Sequence, residues 1–125
     1  MKTETVDGKT LETWTPAEVA DAVNKGEVVL IDVRTPQEYM FEHVEGALLL
    51  PLSFFKASAL PGQSDKRIVF YCGSGVRSER VSRAALDGGL DLVAHLEGGF
   101  GGWKAAKLPY IGTNMATGAP QAVTP

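Results

Sequence analysis

Apolar and polar positions alternate along this chain in blocks that read as helices and strands in turn. Thr15-Pro16-Ala17-Glu18 has the form of a helix start. Thr15 caps, Pro16 suits the first helical position, and Glu18 completes a capping box. Val19, Ala22 and Val23 then give one apolar stripe, and Gly26 ends it. Val28-Val29-Leu30-Ile31 is a continuous apolar run, the pattern of a buried strand. The capping pattern returns in Thr35-Pro36-Gln37-Glu38, so a short helix should follow. Ala47-Leu48-Leu49-Leu50 reads as a second buried strand, closed by Pro51. Ser53 to Ala59 suits a helical turn or two, and Pro61-Gly62-Gln63-Ser64-Asp65 a loop.

Arg67-Ile68-Val69-Phe70-Tyr71 is the clearest strand, β-branched and aromatic. It runs directly into Cys72 and a glycine-bearing loop. Ser78 to Asp87 has helical spacing in Val81, Ala84, Ala85 and Leu86, ended by Gly88-Gly89. Asp91 to Leu96 alternates as a strand does. Gly98 to Gly102 reads as a turn before a short helix from Trp103 to Ala106. Strands alternating with helices predict an α/β domain with a mostly parallel central sheet flanked by helices. Residues 1–11 are polar and read as a loose lead-in, 12–109 as the domain, and 110–125 as a flexible tail rich in Gly, Pro, Thr and Ala.

Composition narrows the setting. The 125 residues suit one domain, and 44% hydrophobic with 22% charged is ordinary for a folded chain. Net charge is −3, and there is no long basic run, which argues against nucleic acid and membrane as partners. The first residues lack the apolar stretch of a signal peptide, and no run approaches a membrane span. A cytoplasmic location is the expectation. Cys72 is the single cysteine, so no internal disulfide forms, and a reducing compartment fits a free thiol.

A lone cysteine is by default a small buried hydrophobe. The setting of Cys72 points elsewhere. Ligands of open α/β sheets bind at the carboxyl ends of strands. Gly73 and Gly75 let the backbone curl and turn its N–H groups inward, and the following helix aims its positive end at the same place. A thiol so placed ionises more readily, and the thiolate is the nucleophile. Ser74 and Ser78 are candidate hydrogen-bond donors to the sulfur, with Ser78 read first as the N-cap of the helix. Arg77 has two readings: a cation for an anionic substrate, favoured because the helix dipole disfavours arginine there, or an ordinary solvated residue. Val76 completes the loop.

In its order of motifs the chain resembles the rhodanese-like sulfurtransferases. The loop Cys72-Gly73-Ser74-Gly75-Val76-Arg77-Ser78 carries the resemblance. Asp32-Val33-Arg34 with Pro36, Glu38 and Tyr39 looks like the first motif, and His43-Val44-Glu45-Gly46-Ala47 with Leu50-Pro51-Leu52 the second. Leu96-Glu97-Gly98-Gly99-Phe100 and Trp103 resemble the closing motif. Glu42, Glu45 and Leu49 depart from the residues usual at their places. The resemblance implies a three-layer rhodanese-like domain and a two-step transfer through a persulfide on Cys72. The expected partners are a small sulfur donor and a thiol or cyanide acceptor, with a sulfur-relay protein as a further candidate. No metal or organic cofactor is expected.

Arg77 follows Cys72 by five positions, where the resemblance to protein tyrosine phosphatases would need six. The resemblance implies that the shorter loop suits sulfur rather than phosphate. The run through Val76 is also that of mercaptopyruvate-type enzymes, but the continuation Arg77-Ser78 favours thiosulfate. A non-enzymatic carrier or protein-binding module is the alternative. Asp32 and Arg34 read as a structural ion pair bracing the loop, the other reading being a role near the donor. His43 reads as a structural histidine, the other reading being a proton shuttle. His95 lies in a strand with no partner at metal-site spacing, so no zinc site is expected.

Overall fold

The computed structural model describes residues 1–125. In chain order its elements are β1 (Lys2–Val6), β2 (Lys9–Trp14), α1 (Pro16–Asn24), β3 (Val28–Asp32), α2 (Pro36–Phe41), β4 (Glu42–His43), β5 (Leu48–Leu49), β6 (Arg67–Tyr71), α3 (Val76–Asp87), β7 (Leu92–Leu96), α4 (Gly99–Ala105), β8 (Tyr110–Thr113) and β9 (Pro120–Val123). Two 3-10 turns, Leu52–Phe54 and Ala57–Ala59, occupy the segment between β5 and β6. The main sheet has the order β1-β2-β7-β6-β3-β5. All neighbours are parallel except β1, which is antiparallel to β2.

Alternation along β6 builds two cores. Val69 and Tyr71 face one side with Val19 and Ala22 of α1 and Phe100 and Trp103 of α4. Ile68, Phe70 and Cys72 face the other with Val81, Ala85 and Leu86 of α3. All five residues from Ile68 to Cys72 are fully buried, as a strand covered on both faces must be. Removing a side chain such as Phe70 from water contributes about 1.5–3 kcal/mol. This is the three-layer arrangement expected from the sequence. No helix is long and apolar enough to cross a membrane.

Five expectations need correction. Residues 1–11 are not a loose lead-in: β1 and β2 form a hairpin across Asp7-Gly8, whose φ values of 51° and 79° are those of a two-residue turn with both central residues left-handed. β1 is polar because it is an exposed edge strand. The expected tail also forms strands. β8 and β9 pair with each other, and β4 joins them in a second sheet. Their connection is closed by Asn114, whose Oδ1 accepts from the N–H of Ala116 and Thr117. Ala47–Leu50 supplies only the two-residue edge strand β5, with Leu48 58% exposed, so this run is not a buried strand. Helix α3 starts at Val76 rather than Ser78, and α4 at Gly99 rather than Trp103. Both starts use a left-handed glycine, Gly75 (φ 109°) and Gly98 (φ 73°); at α3 Ser78 was the expected cap, and at α4 the residues read as a turn form the first helical turn.

Candidate active site

Cys72 directly follows the last residue of β6 and is wholly buried. The chain turns at Gly75 and brings its N–H to 3.0 Å from Cys72 Sγ. Ser78 lies in the first turn of α3, so it is not the helix cap. Its hydroxyl sits 3.6 Å from Sγ. Burial alone would push the thiol up. The Ser78 N–H and hydroxyl and the N–H groups of Gly75 and Ser74 outweigh it, and hold the thiol below its ordinary value.

The loop is pinned from behind by α4. The N–H groups of Phe100 and Gly101 donate to the carbonyls of Cys72 (2.7 Å) and Gly73 (3.0 Å). Gly99 lies so close that a Cβ there would stand 2.4 Å from the Cys72 carbonyl oxygen. With its carbonyls held by α4, the loop keeps N–H groups for the sulfur.

Arg77 lies beside the loop, since a Cβ on Gly73 would come within 3.1 Å of its Nη2. It is not a free cation. Its two terminal nitrogens donate to both carboxylate oxygens of Glu38 at 2.7 and 3.0 Å. Those hydrogen bonds, with the Thr35 groups that also bond it, hold the Glu38 carboxyl at about 2. Glu38 therefore serves twice, in the α2 capping box and as the arginine's partner.

Asp32 and Arg34 form a buried ion pair, with Arg34 Nε and Nη2 donating to the carboxylate at 2.8–3.1 Å. Arg34 Nη2 also donates to the Glu42 carbonyl, and the guanidinium lies 4.7 Å from the Phe100 ring centre and 5.5 Å from that of Tyr71. The pair thus ties β3, β4 and α4 together next to the strand that carries Cys72. His43 stands apart from the cysteine loop. Its ring stacks on Tyr39 at 3.9 Å and its Nδ1 is 2.7 Å from the Tyr39 carbonyl. It lines a cavity of about 520 Å³ between α2 and the β8–β9 hairpin. No group of three His, Cys, Asp or Glu side chains is placed to hold a metal ion.

The sequence reading missed His95 as a neighbour of the site. β7 pairs with β6, with Phe70 opposite His95, so the imidazole lies beside the cysteine loop, where its Nδ1 is 2.9 Å from Ser78 Oγ. No spacing along the chain signals this.

The rhodanese-like domain family matches residues 15–106. The chain belongs to this family. Among curated proteins, an uncharacterized protein of Synechocystis sp. is 42% identical over 71% of this chain and 50% of its own length. The "Probable adenylyltransferase/sulfurtransferase MoeZ" of Mycobacterium tuberculosis is 36% identical over 78% of this chain and 26% of its own length. The tRNA uridine(34) hydroxylase of Cronobacter sakazakii is 36% identical over 66% of this chain and 26% of its own. The chain thus spans half or less of these relatives. Among solved structures, a rhodanese-related protein of Thermoplasma volcanium superposes with a TM-score of 0.68 at 25% identity, over 79% of this chain and 96% of its own. A Rhodopseudomonas palustris protein of unknown function, described as a "Possible Tyrosine Phosphatase", gives 0.65 at 34% identity, over 77% and 81%. In this rhodanese-like domain the cysteine loop, the Asp32–Arg34 pair and the Gly98-Gly99 helix start form one connected assembly.

Proposed function

We propose that this rhodanese-like domain is a sulfurtransferase that moves a sulfane sulfur from thiosulfate, or a similar donor, to a thiophilic acceptor through a persulfide on Cys72. The observation that carries the reading is the Gly75 N–H at 3.0 Å from Sγ, with the Ser78 hydroxyl at 3.6 Å from the same atom. Such donors stabilise a thiolate and, one bond further out, the anionic outer sulfur of a persulfide.

The reaction splits one difficult transfer into two. The Cys72 thiolate attacks the outer sulfur of thiosulfate. A Cys72–sulfur bond forms, the donor's sulfur–sulfur bond breaks, and sulfite leaves with the electron pair. Cyanide or a thiolate then attacks the outer persulfide sulfur, which releases thiocyanate or a new persulfide and returns the Cys72 thiolate. Arg77 attracts the dianionic donor, which competes with Glu38 for the guanidinium.

A carrier reading draws on the burial of Cys72, because sulfur is exchanged only after side chains or loop at the mouth move. The phosphatase wording attached to one structural relative is less favoured for this chain: Arg77 follows Cys72 by five positions and is occupied by Glu38 on both terminal nitrogens. Intact mass after incubation with thiosulfate tests the proposal. Wild type gains one sulfur atom and Cys72→Ser gains none. Absence of any gain with thiosulfate, mercaptopyruvate and thiol persulfides sinks it. Steady thiocyanate formation then separates turnover from carriage.

A further inference from the structure

We propose that His95 is a positioning residue for the reacting thiol: it takes the Cys72 proton through Ser78 and passes it to the polar cleft behind the loop. The inference rests on the reading of Cys72 as nucleophile and says how that nucleophile is made.

Four side chains, from the cysteine loop, α3, β7 and β2, stand in line. Cys72 Sγ is 3.6 Å from Ser78 Oγ, Ser78 Oγ is 2.9 Å from His95 Nδ1, and His95 Nε2 is 3.2 Å from Thr13 Oγ1 on β2. Cys72 and Ser78 are wholly buried and His95 is 5% exposed, so the imidazole is the member of the buried part of the line that stands nearest to water. Thr13 and His95 line a cleft of about 440 Å³ with Lys2, Glu79 and Glu97, and the outer side of the cysteine loop at Ser74, Gly75 and Val76 forms its wall. Arg77 opens instead on a second recess, with Arg34, Thr35 and Ser53, and is paired there with Glu38. The proton therefore has an exit separate from the pair that a donor anion meets.

The hydrogen-bond arithmetic makes His95 decisive. A serine hydroxyl has one proton, yet Ser78 Oγ faces the sulfur, the imidazole and, at 3.2 Å, the Gly75 carbonyl. With Nδ1 bare, Ser78 donates to His95 and accepts from the thiol. With Nδ1 protonated, His95 donates to Ser78, and the hydroxyl proton is free for the thiolate. Ionisation converts the first state into the second. The S–H bond breaks and its electron pair stays on sulfur. Its proton moves to Ser78 Oγ as the Ser78 proton moves to Nδ1, and the Nε2 proton leaves through Thr13 to water in the cleft.

The charges around the line favour onward passage. Burial holds His95 below its ordinary value, Glu79 of α3 acts in the opposite sense, and Arg83 of α3 reinforces burial. Lys2 of β1 and Glu97 after β7 pair at 3.0 Å on the cleft. Near Cys72 the Asp32 charge is held by Arg34 and the Arg77 charge by Glu38. The imidazolium is thus a passing state rather than a resting one.

The test is the pH titration of the Cys72 thiolate absorbance in the full chain, with Cys72→Ser as blank. His95→Phe keeps a buried ring and removes both nitrogens. Without the Nδ1–H that donates to Ser78 Oγ and so strengthens the hydroxyl's own bond to the thiolate, its midpoint is expected to rise by about one pH unit, which lowers the thiolate fraction below that midpoint about tenfold. Ser78→Ala shifts the same way, and the double variant shifts no further than the larger single. A His95→Phe curve that superimposes on wild type, or shifts that add in the double variant, overturns the proposal. If His95→Phe does not fold, Thr13→Val decides: a smaller upward shift supports the line, and an unchanged curve overturns it. The persulfide mass gain of wild type is read in parallel. Its absence alongside a shifted His95→Phe curve overturns the sulfur-transfer reading alone.

Discussion

Helices α1 and α2 begin on Thr-Pro-x-Glu boxes, whereas α3 and α4 begin on Gly75 and Gly98 with no side-chain cap. In the first pair the threonine hydroxyl accepts the glutamate N–H and the glutamate carboxylate accepts the threonine N–H, so early backbone donors are satisfied locally. In the second pair those donors go outward. The start of α3 supplies N–H groups to the Cys72 sulfur, and the start of α4 supplies them to the Cys72 and Gly73 carbonyls. The difference shows where the chain keeps backbone polarity for chemistry. A helix closed by its own side chains is scaffold, and an uncapped one is aimed at the site.

The comparison breaks most visibly at Gly99. An alanine there meets the Cys72 carbonyl oxygen at 2.4 Å and the Gly73 carbonyl carbon at 2.7 Å, with φ at +59°. Clash and left-handed strain together cost about 3 kcal/mol. Gly46, with φ +83° and nothing within 4 Å, has the strain without the clash. Gly46→Ala is therefore expected to cost about 1 kcal/mol. Urea denaturation of the two variants measures the difference. Equal losses would remove the claim that α4 is pressed against the loop.

Next in size is the capped side. Thr15→Ala removes the α1 box and costs about 1 kcal/mol by the same urea measurement. Its uptake of sulfur from thiosulfate should match wild type, because no hydrogen bond joins α1 to the loop. Impaired uptake at normal stability would show that the two kinds of helix start are not separate in role.

The smallest effect sits at α2, where the two kinds meet. Glu38 is both cap and partner of Arg77, and its carboxyl falls from 4.5 to about 2. A depressed carboxyl stabilises the fold fully above its unfolded value and loses that contribution as pH falls through its folded one. The window is thus from about 4.5 down to about 2. The pair is about one-third exposed, so solvent screening keeps the gain below about 1 kcal/mol. Carboxyl chemical shifts against pH measure it, and Arg77→Gln should return Glu38 towards its ordinary value. A titration unchanged by that substitution would leave capping as the whole cause.

Local signals made much of the scaffold readable. The Thr-Pro-x-Glu boxes announce α1 and α2, and the apolar runs give β3 within one residue and β6 at its full length, because a doubly covered strand must be apolar throughout. Edge strands lack that requirement. β1 and β9 are almost wholly exposed, so apolar periodicity does not mark them. The Asp7-Gly8 turn was the available signal for the first hairpin. Helix starts at Gly75 and Gly98 escaped the same reading, because a glycine before a helix carries no capping side chain.

For the site, the sequence by itself determined the place of Cys72 and its glycine-bearing loop, since strand end, glycines and helix follow one another along the chain. Which charges are free was a tertiary decision. Glu38 and Arg77 are 39 positions apart, and the helix α2 brings the carboxylate to the loop. His95 and Thr13 reach the back of Cys72 because β7 lies between β6 and β2 in the sheet. Parallel pairing joins strands that are distant in sequence. The order of residues along the chain can therefore place the candidate nucleophile, but its neighbours across the sheet come from strand order.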